Sequence, residues 1–477
     1  MTIDHLPDEV LLEIFDSYRQ TIDQYDYSYQ WKKNYVWLNL AHVCKRWRDV
    51  MIASSSRLDL DITVGPQKPG HIKTFLSIPL PIFVCYNCYY GYGDITGSAL
   101  WRMRAALRHR DRVREISFQG SKASFNDFFR ATVYHFPVLE SLFLGFPHGY
   151  KLDIPASFLR GPDQPDLRIR RLKMHRASPA SVSGLLLSAT ALTDLTLNVN
   201  SNAKGFQPSQ GSFLLACLQG MQCLRNLDLS ASYYDFQNSQ SQYSTPKDIV
   251  PLSKLTRFHY FGPTIILNNF MSGLSAPSLQ DARFMLCDGL PLFYFSRIID
   301  HVKEEFRSVS VTFENRDFRL SSSTHSGKID PFKSSFKFSV NCSPNSIKLI
   351  NSTPSTKLAM AEELALSFSG SNITTLEQVF SLREFIRQFR SVRVLRVETS
   401  TREVGRYLQQ DDGEVIFPVL EQIELSISHL TGFPDEEYRR RAAANAADLT
   451  AFEPFVSACE RAGHHVNVFH PVMQRSD

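Results

Sequence analysis

Apolar residues near the start of the chain recur at spacings of three and four: Val10, Leu11, Ile14, Phe15 and Tyr18. That spacing predicts an amphipathic helix with one wide apolar stripe. Pro7 suits the first helical turn, where its missing N–H is not needed, and Asp8 and Glu9 place negative charge at the positive end of the helix dipole. The helix is therefore expected to begin at Pro7. A second stretch, Val36, Leu40, Val43, Cys44, Trp47, Val50 and Met51, has the same pattern and predicts a second helix. Lys45, Arg46, Arg48 and Asp49 fall mainly on its other side. Two helices this short cannot enclose a core. Each large apolar side chain left in water forfeits about 1.5–3 kcal/mol, so a further surface must cover part of both stripes. Between the helices runs a polar insertion, Arg19 to Tyr35, carrying Tyr25, Tyr27, Tyr29 and Trp31. After them, Gly65, Pro66, Pro69 and Gly70 punctuate the chain as a hinge would. Such a module is held out from a larger body, although the same stripes could instead pack on the rest of the chain.

Beyond the hinge the period changes to that of strands. The pattern L-x-x-L-x-L reads VREISF at Val113, LESLFL at Leu139, IRRLKM at Ile169, LTDLTL at Leu192, LRNLDL at Leu224, LTRFHY at Leu255 and LQDARF at Leu279. Successive starts lie 26, 30, 23, 32, 31 and 24 residues apart, room for one strand and one helix each. Weaker copies follow at Phe306, Ala361, Val392 and Leu420. Helix-compatible stretches sit between them, among them GSALWRMRAALRHR, SFNDFFRATVYHF, SVSGLLLSATA, QGSFLLACLQGM and LREFIRQF. Each unit would bury a strand face and a helix face on its neighbours, so the expected body is an α/β solenoid of parallel strands plus helices. Ser-rich segments, FQNSQSQYSTPKD and LSSSTHSGKIDPFKSS, interrupt the array and read as loops. The second falls in the 55-residue gap between Phe306 and Ala361, where one repeat is unrecognisable and an extra hairpin around FKFSV is expected.

LPDEVLLEIF, from Leu6, followed by WLNLAHVCKRWRDVM, from Trp37, resembles the F-box, a short all-α module that docks onto the Skp adaptor of cullin-RING ubiquitin ligases. The insertion is longer than the usual connection in that family. The resemblance implies that Leu6, Pro7, Val10, Leu11, Ile14, Phe15, Leu40, Val43, Cys44 and Trp47 contact the adaptor. The repeats resemble the leucine-rich-repeat horseshoe often found behind an F-box, in an irregular form. The expected organisation is an F-box over residues 1–62, a linker and entry over 63–110, and an irregular leucine-rich-repeat-like solenoid over 111–477. The function implied is that of substrate-recognition subunit of a ubiquitin ligase, binding a Skp-type adaptor, a cullin-RING ligase through it, and an unknown protein substrate through the repeats. The alternative is a scaffold of the same architecture that serves no ligase.

Composition changes little in this picture. Charged residues make up 21% and hydrophobic residues 43%, and a net +4 over 477 residues is too weak a bias to imply a nucleic-acid or membrane partner. Asp4, Asp8, Glu9, Glu13, Asp16 and Asp23 argue against a signal peptide, and no run of 18 uncharged apolar residues occurs. A cytoplasmic or nuclear protein is expected. The eight cysteines are scattered and read as buried thiols. Only Cys85 and Cys88 have ligand spacing, with no second pair to complete a zinc site. His464, His465 and His470 alternate as on a strand surface. There is no phosphate-binding glycine loop, no H-E-x-x-H and no G-x-S-x-G, so no catalytic residue, metal or cofactor is expected. Arg102, Arg104, Arg108, Arg110, Arg112 and Arg114 form the strongest basic cluster. It reads as the solvated face of a helix, with a nucleic-acid reader as the third and least favoured class.

Overall fold

The computed structural model describes residues 5–23, 36–58, 60–65, 72–87, 97–146, 154–155, 158–159, 167–177, 179–199, 209–231, 249–286, 299–300, 302–303, 305–314, 317–323, 336–341, 355–369, 382–397, 404, 408, 416–425 and 452–469. The chain divides into two compact units, Met1–Ala203 and Lys204–Asp477. The Tyr-rich stretch of the insertion, the first Ser-rich segment, Cys88, His470 and the arginine-rich YRRRAAANAADL stretch lie outside the described residues.

The first unit opens with three helices, α1 (Asp8–Asp23), α2 (Val36–Ala41) and α3 (Lys45–Ala53). The second predicted helix is thus two. Cys44 adopts an extended backbone (φ −156°, ψ 172°), and its sulfur accepts from the Trp47 amide at 3.5 Å, so it ends one helical path and caps the next. The sheet follows: β1 (Ile62–Val64), α4 (Ile72–Ser77), β2 (Ile82–Asn87), α5 (Gly97–Leu107), β3 (Val113–Gln119), α6 (Lys122–Ala131), β4 (Ser141–Gly145), β5 (Arg171–Ala177), α7 (Pro179–Ser188) and β6 (Asp194–Val199). The six strands pair in parallel in chain order. Residues 63–110, read from sequence as linker and entry, therefore already carry two strands of the sheet. Inward residues of these strands meet the helices in a phenylalanine-rich core, where Phe118 stacks on Phe128 at 4.2 Å and Phe125 on Phe146 at 4.8 Å.

The second unit contains α8 (Ser209–Gln219), β7 (Asn226–Ala231), β8 (Val250–Pro251), β9 (Arg257–Gly262), α9 (Thr264–Ser272), β10 (Leu274–Ser275), β11 (Asp281–Leu286), β12 (Ser308–Glu314), β13 (Asp317–Ser323), β14 (Phe336–Asn341), α10 (Thr356–Ala359), β15 (Glu363–Ser369), β16 (Val394–Val397), β17 (Gln422–Leu425), α11 (Glu453–Arg461) and β18 (Asn467–Phe469). Its main sheet runs β7-β9-β11-β14-β13-β12-β15-β16-β17-β18, and β8 pairs with β10 apart from it. All pairs are parallel except β12 with β13 and β13 with β14. The chain therefore makes an antiparallel meander from β12 back to β14, which takes the place beside β11 that β12 would fill in a regular array. This is where the expected hairpin around FKFSV sits.

A backbone bond recurs just ahead of the strands: Glu140 N–H donates to Arg114 O at 2.8 Å, Arg170 to Glu140 at 2.9 Å and Thr193 to Arg170 at 2.8 Å. In the second unit Thr256 donates to Arg225, Gln280 to Thr256, Arg393 to Glu362 and Glu421 to Arg393 in the same way. Each bond joins equivalent positions of successive L-x-x-L-x-L copies. The region after the helical module is thus a parallel-strand-rich α/β structure, and in neither unit do the described strands close into a barrel. Among the described residues no helix is long and apolar enough to cross a membrane.

Candidate functional site

The helical module is the most distinctive surface of the chain. Leu11 and Phe15, one turn apart on α1, are buried, as are Trp37, Leu40 and Ala41 of α2 and Trp47, Val50 and Met51 of α3. Phe15 meets Trp47 edge-on with ring centroids 5.0 Å apart. Four of the ten residues expected to contact a partner, Leu11, Phe15, Leu40 and Trp47, therefore hold the module itself together.

The other six are placed differently. Val10 is 37% exposed, Ile14 38% and Val43 54%, while Pro7 is exposed and Leu6 and Cys44 are half-buried. Val10, Ile14 and Tyr18 follow each other at four-residue intervals and so line one face of α1. Two polar tethers bracket that face. At one end the Asn39 side-chain amide donates to the Tyr18 hydroxyl at 3.5 Å. At the other, Arg46 Nη2 donates to the Leu6 carbonyl and to Asp8 Oδ1, the latter at 2.6 Å. Val43 lies between Asn39 and Arg46 in the chain, in the turn that Cys44 closes, so the break between α2 and α3 is what turns it outward. The result is a row of aliphatic side chains on a module whose own core is complete without them. Sequence periodicity finds these residues, Tyr18 among them, but misses the tethers, since Asn39 and Arg46 carry no spacing signal of their own.

The remaining chemistry of the chain is mostly internal. Arg112 donates to the carbonyls of Leu76, Ile78 and Leu80, Arg104 pairs with Asp127 at 3.4 Å, Arg114 with Glu140 at 3.1 Å, and Arg110 lies 4.6 Å over the Tyr134 ring. Four members of the basic cluster thus serve the fold. Arg396 bridges Glu363 at 2.9 Å and Glu424 at 2.7 Å across β15, β16 and β17. Burial pushes the thiols of Cys217 and Cys459 up to about 11 and raises that of Cys85. Among the described residues no group of three or more His, Cys, Asp or Glu is arranged to hold a metal ion.

Comparison with curated proteins returns no match. The family profile described as F-box-like matches residues 3–55, the span that contains α1, α2 and α3 together with the exposed aliphatic row, and the chain accordingly carries an F-box-like domain at its N-terminal end.

Proposed function

We propose that this chain is the substrate-recognition subunit of a Skp/cullin/F-box ubiquitin ligase. F-box-like domains as a class bind Skp-type adaptors, and the observation that carries the reading here is the solvent-facing row of Pro7, Val10, Ile14 and Val43 on a module already packed internally. Covering such a row with an apolar partner surface gains about 25 cal/mol for each Å² removed from water. The parallel strands, spaced at 23 to 32 residues and joined by repeated backbone bonds, are read as an irregular leucine-rich-repeat array that holds a protein substrate. The chain performs no chemistry of its own. It makes ubiquitin transfer effectively intramolecular by holding the acceptor protein beside the catalytic partners.

Co-purification with a Skp-type adaptor tests the first half. The triple substitution V10E/I14E/V43E is expected to abolish capture while leaving the thermal unfolding of the chain unchanged, because all three side chains already face water. Undiminished capture would overturn the assignment. Reconstituted ubiquitin transfer tests the second half: adaptor binding without transfer to any captured protein identifies the scaffold alternative instead.

A further inference from the structure

Exposed apolar side chains scattered singly need no explanation, but a contiguous patch on a sheet does. Phe261 is 38% exposed and Met285 46%, and the two are register partners on adjacent parallel strands, β9 and β11. Adjacent strands stand about 4.8 Å apart, so these side chains are neighbours on one face. They lie on the outward side: Phe258, Tyr260, Ala282, Phe284 and Leu286 of the same strands are buried.

The rest of that face is polar and unequally charged. Register sets Asp228, His259 and Arg283 in the next row, and Asn226, Arg257, Asp281 and Lys337 in the row beyond. Arg257, Arg283 and Lys337 stand against Asp228 and Asp281, which leaves one positive charge before His259 is counted. Asp281 is already engaged, by Arg283 at 3.0 Å and His259 at 3.5 Å. Arg257 Nε donates to the neutral Asn226 side chain at 2.6 Å rather than to a carboxylate. Arg283 uses Nε and Nη2 on Asp281, leaving Nη1 to meet a second acid. Two residues of strand, about 6.6 Å, separate its row from the apolar pair.

We propose that the outward face of β7, β9, β11 and β14 is a docking surface for an extended segment of a partner protein that sets a bulky apolar side chain on Phe261 and Met285 and a carboxylate against Arg283. The charge on the face favours an acidic segment over a basic one, and the apolar pair supplies the anchor around which such an interface is built. This rests on the reading of the strand-rich region as the part that recognises a substrate.

Selection from a displayed library of random peptides on the purified full chain tests it. Enriched peptides are expected to carry a large apolar residue within three positions of Asp or Glu. F261S/M285S should weaken the best of them about ten-fold, the size of a lost central anchor. R283E should shift selection toward Lys and Arg, a gain that misfolding cannot imitate. The proposal is overturned if the enriched peptides lack acids, if the double variant binds them equally, or if replacing their Glu by phosphoserine tightens binding more than about ten-fold. Adaptor capture is measured on the same preparations. Normal capture with no such selection overturns this inference alone, whereas failed capture in the wild type overturns the ligase reading.

Discussion

Arg112 belongs to a run of six arginines, yet its guanidinium is wrapped by the carbonyls of Leu76, Ile78 and Leu80 ahead of β2. Desolvation lowers its pKa, as expected of a charge drawn partly out of water. R112A withdraws the guanidinium from all three carbonyls, of which Ile78 O keeps the Leu80 N–H, and is expected to destabilise the chain by about 1–3 kcal/mol in denaturant titrations. R104A, which breaks an exposed pair with Asp127, should change stability by less than about 1 kcal/mol. The pKa of Asp281 is lowered as well, but against its burial. Burial alone would raise it, but hydrogen bonds from His259 and Arg283 hold its carboxyl below the ordinary 3.8. A carboxyl depressed by folding stabilises the native state above its unfolded value, and that contribution disappears as pH falls through the lower folded value. Acid titration of D281N should therefore lack part of the stability loss that the wild type shows below about pH 3.8. Cys217 and Cys459, moved from 9.0 to about 11, present about a hundred-fold less thiolate than ordinary cysteines. A thiol reagent at pH 8 should leave both unmodified until the chain is unfolded.

At the scale of elements, the break between α2 and α3 is capped by one sulfur. Cys44 Sγ is a weak acceptor in a position that Ser, Thr, Asp and Asn usually occupy. C44S is expected to hold or raise the melting temperature of the module, while C44A should lose about 0.5–2 kcal/mol, measured by denaturant unfolding of the F-box-like domain in the full chain. Periodicity alone does not reveal this break, because Leu40, Val43, Cys44 and Trp47 fit one helical stripe as well as two. The same width of stripe explains why sequence locates the candidate site but not its polarity: Val10 and Leu11 are one residue, or about 100°, apart, and only packing decides which faces inward. All eleven L-x-x-L-x-L copies are strands, since their buried apolar residues are spaced for a pleated face and lie between stretches that suit helices. Strand pairing is another matter. β13 and β14 lie between β11 and β12 because a short antiparallel connection is available there, and a pattern that records only which side of a strand is apolar carries no information about its neighbours. β1 and β2 carry no copy of the leucine pattern, because their Ile-Thr-Val and Ile-Phe-Val runs lack its spacing.

At the scale of the whole molecule, the chain is two compact units rather than one, each with its own buried set of leucines and phenylalanines. Interactions between neighbouring strands and helices dominate such structures, so stability is expected to be a sum of local terms. Calorimetry should resolve two transitions, and truncation after Ala203 should abolish one while retaining the other. A single sharp transition lost on that truncation would show instead that the two units unfold together. The V10E/I14E/V43E variant should leave both transitions in place.

The meander between β12 and β14 bears on how the second unit assembles. In a regular array each strand docks on the one synthesised just before it, so structure propagates along the chain with short loop closures. Here β11 docks on β9 but its second edge has no ready neighbour when β12 emerges, because its partner there, β14, lies some fifty residues further on, at Phe336–Asn341. β12 in turn pairs with β15, from Glu363, and must keep that edge open until the chain reaches it. The hairpin contacts of Ser308–Glu314 with Asp317–Ser323 are local and close first. Propagation from β7 to β11 then waits for a preformed three-stranded block rather than for a single strand, which makes this block a checkpoint in refolding and sets exposed edges on both sides of it while it is incomplete.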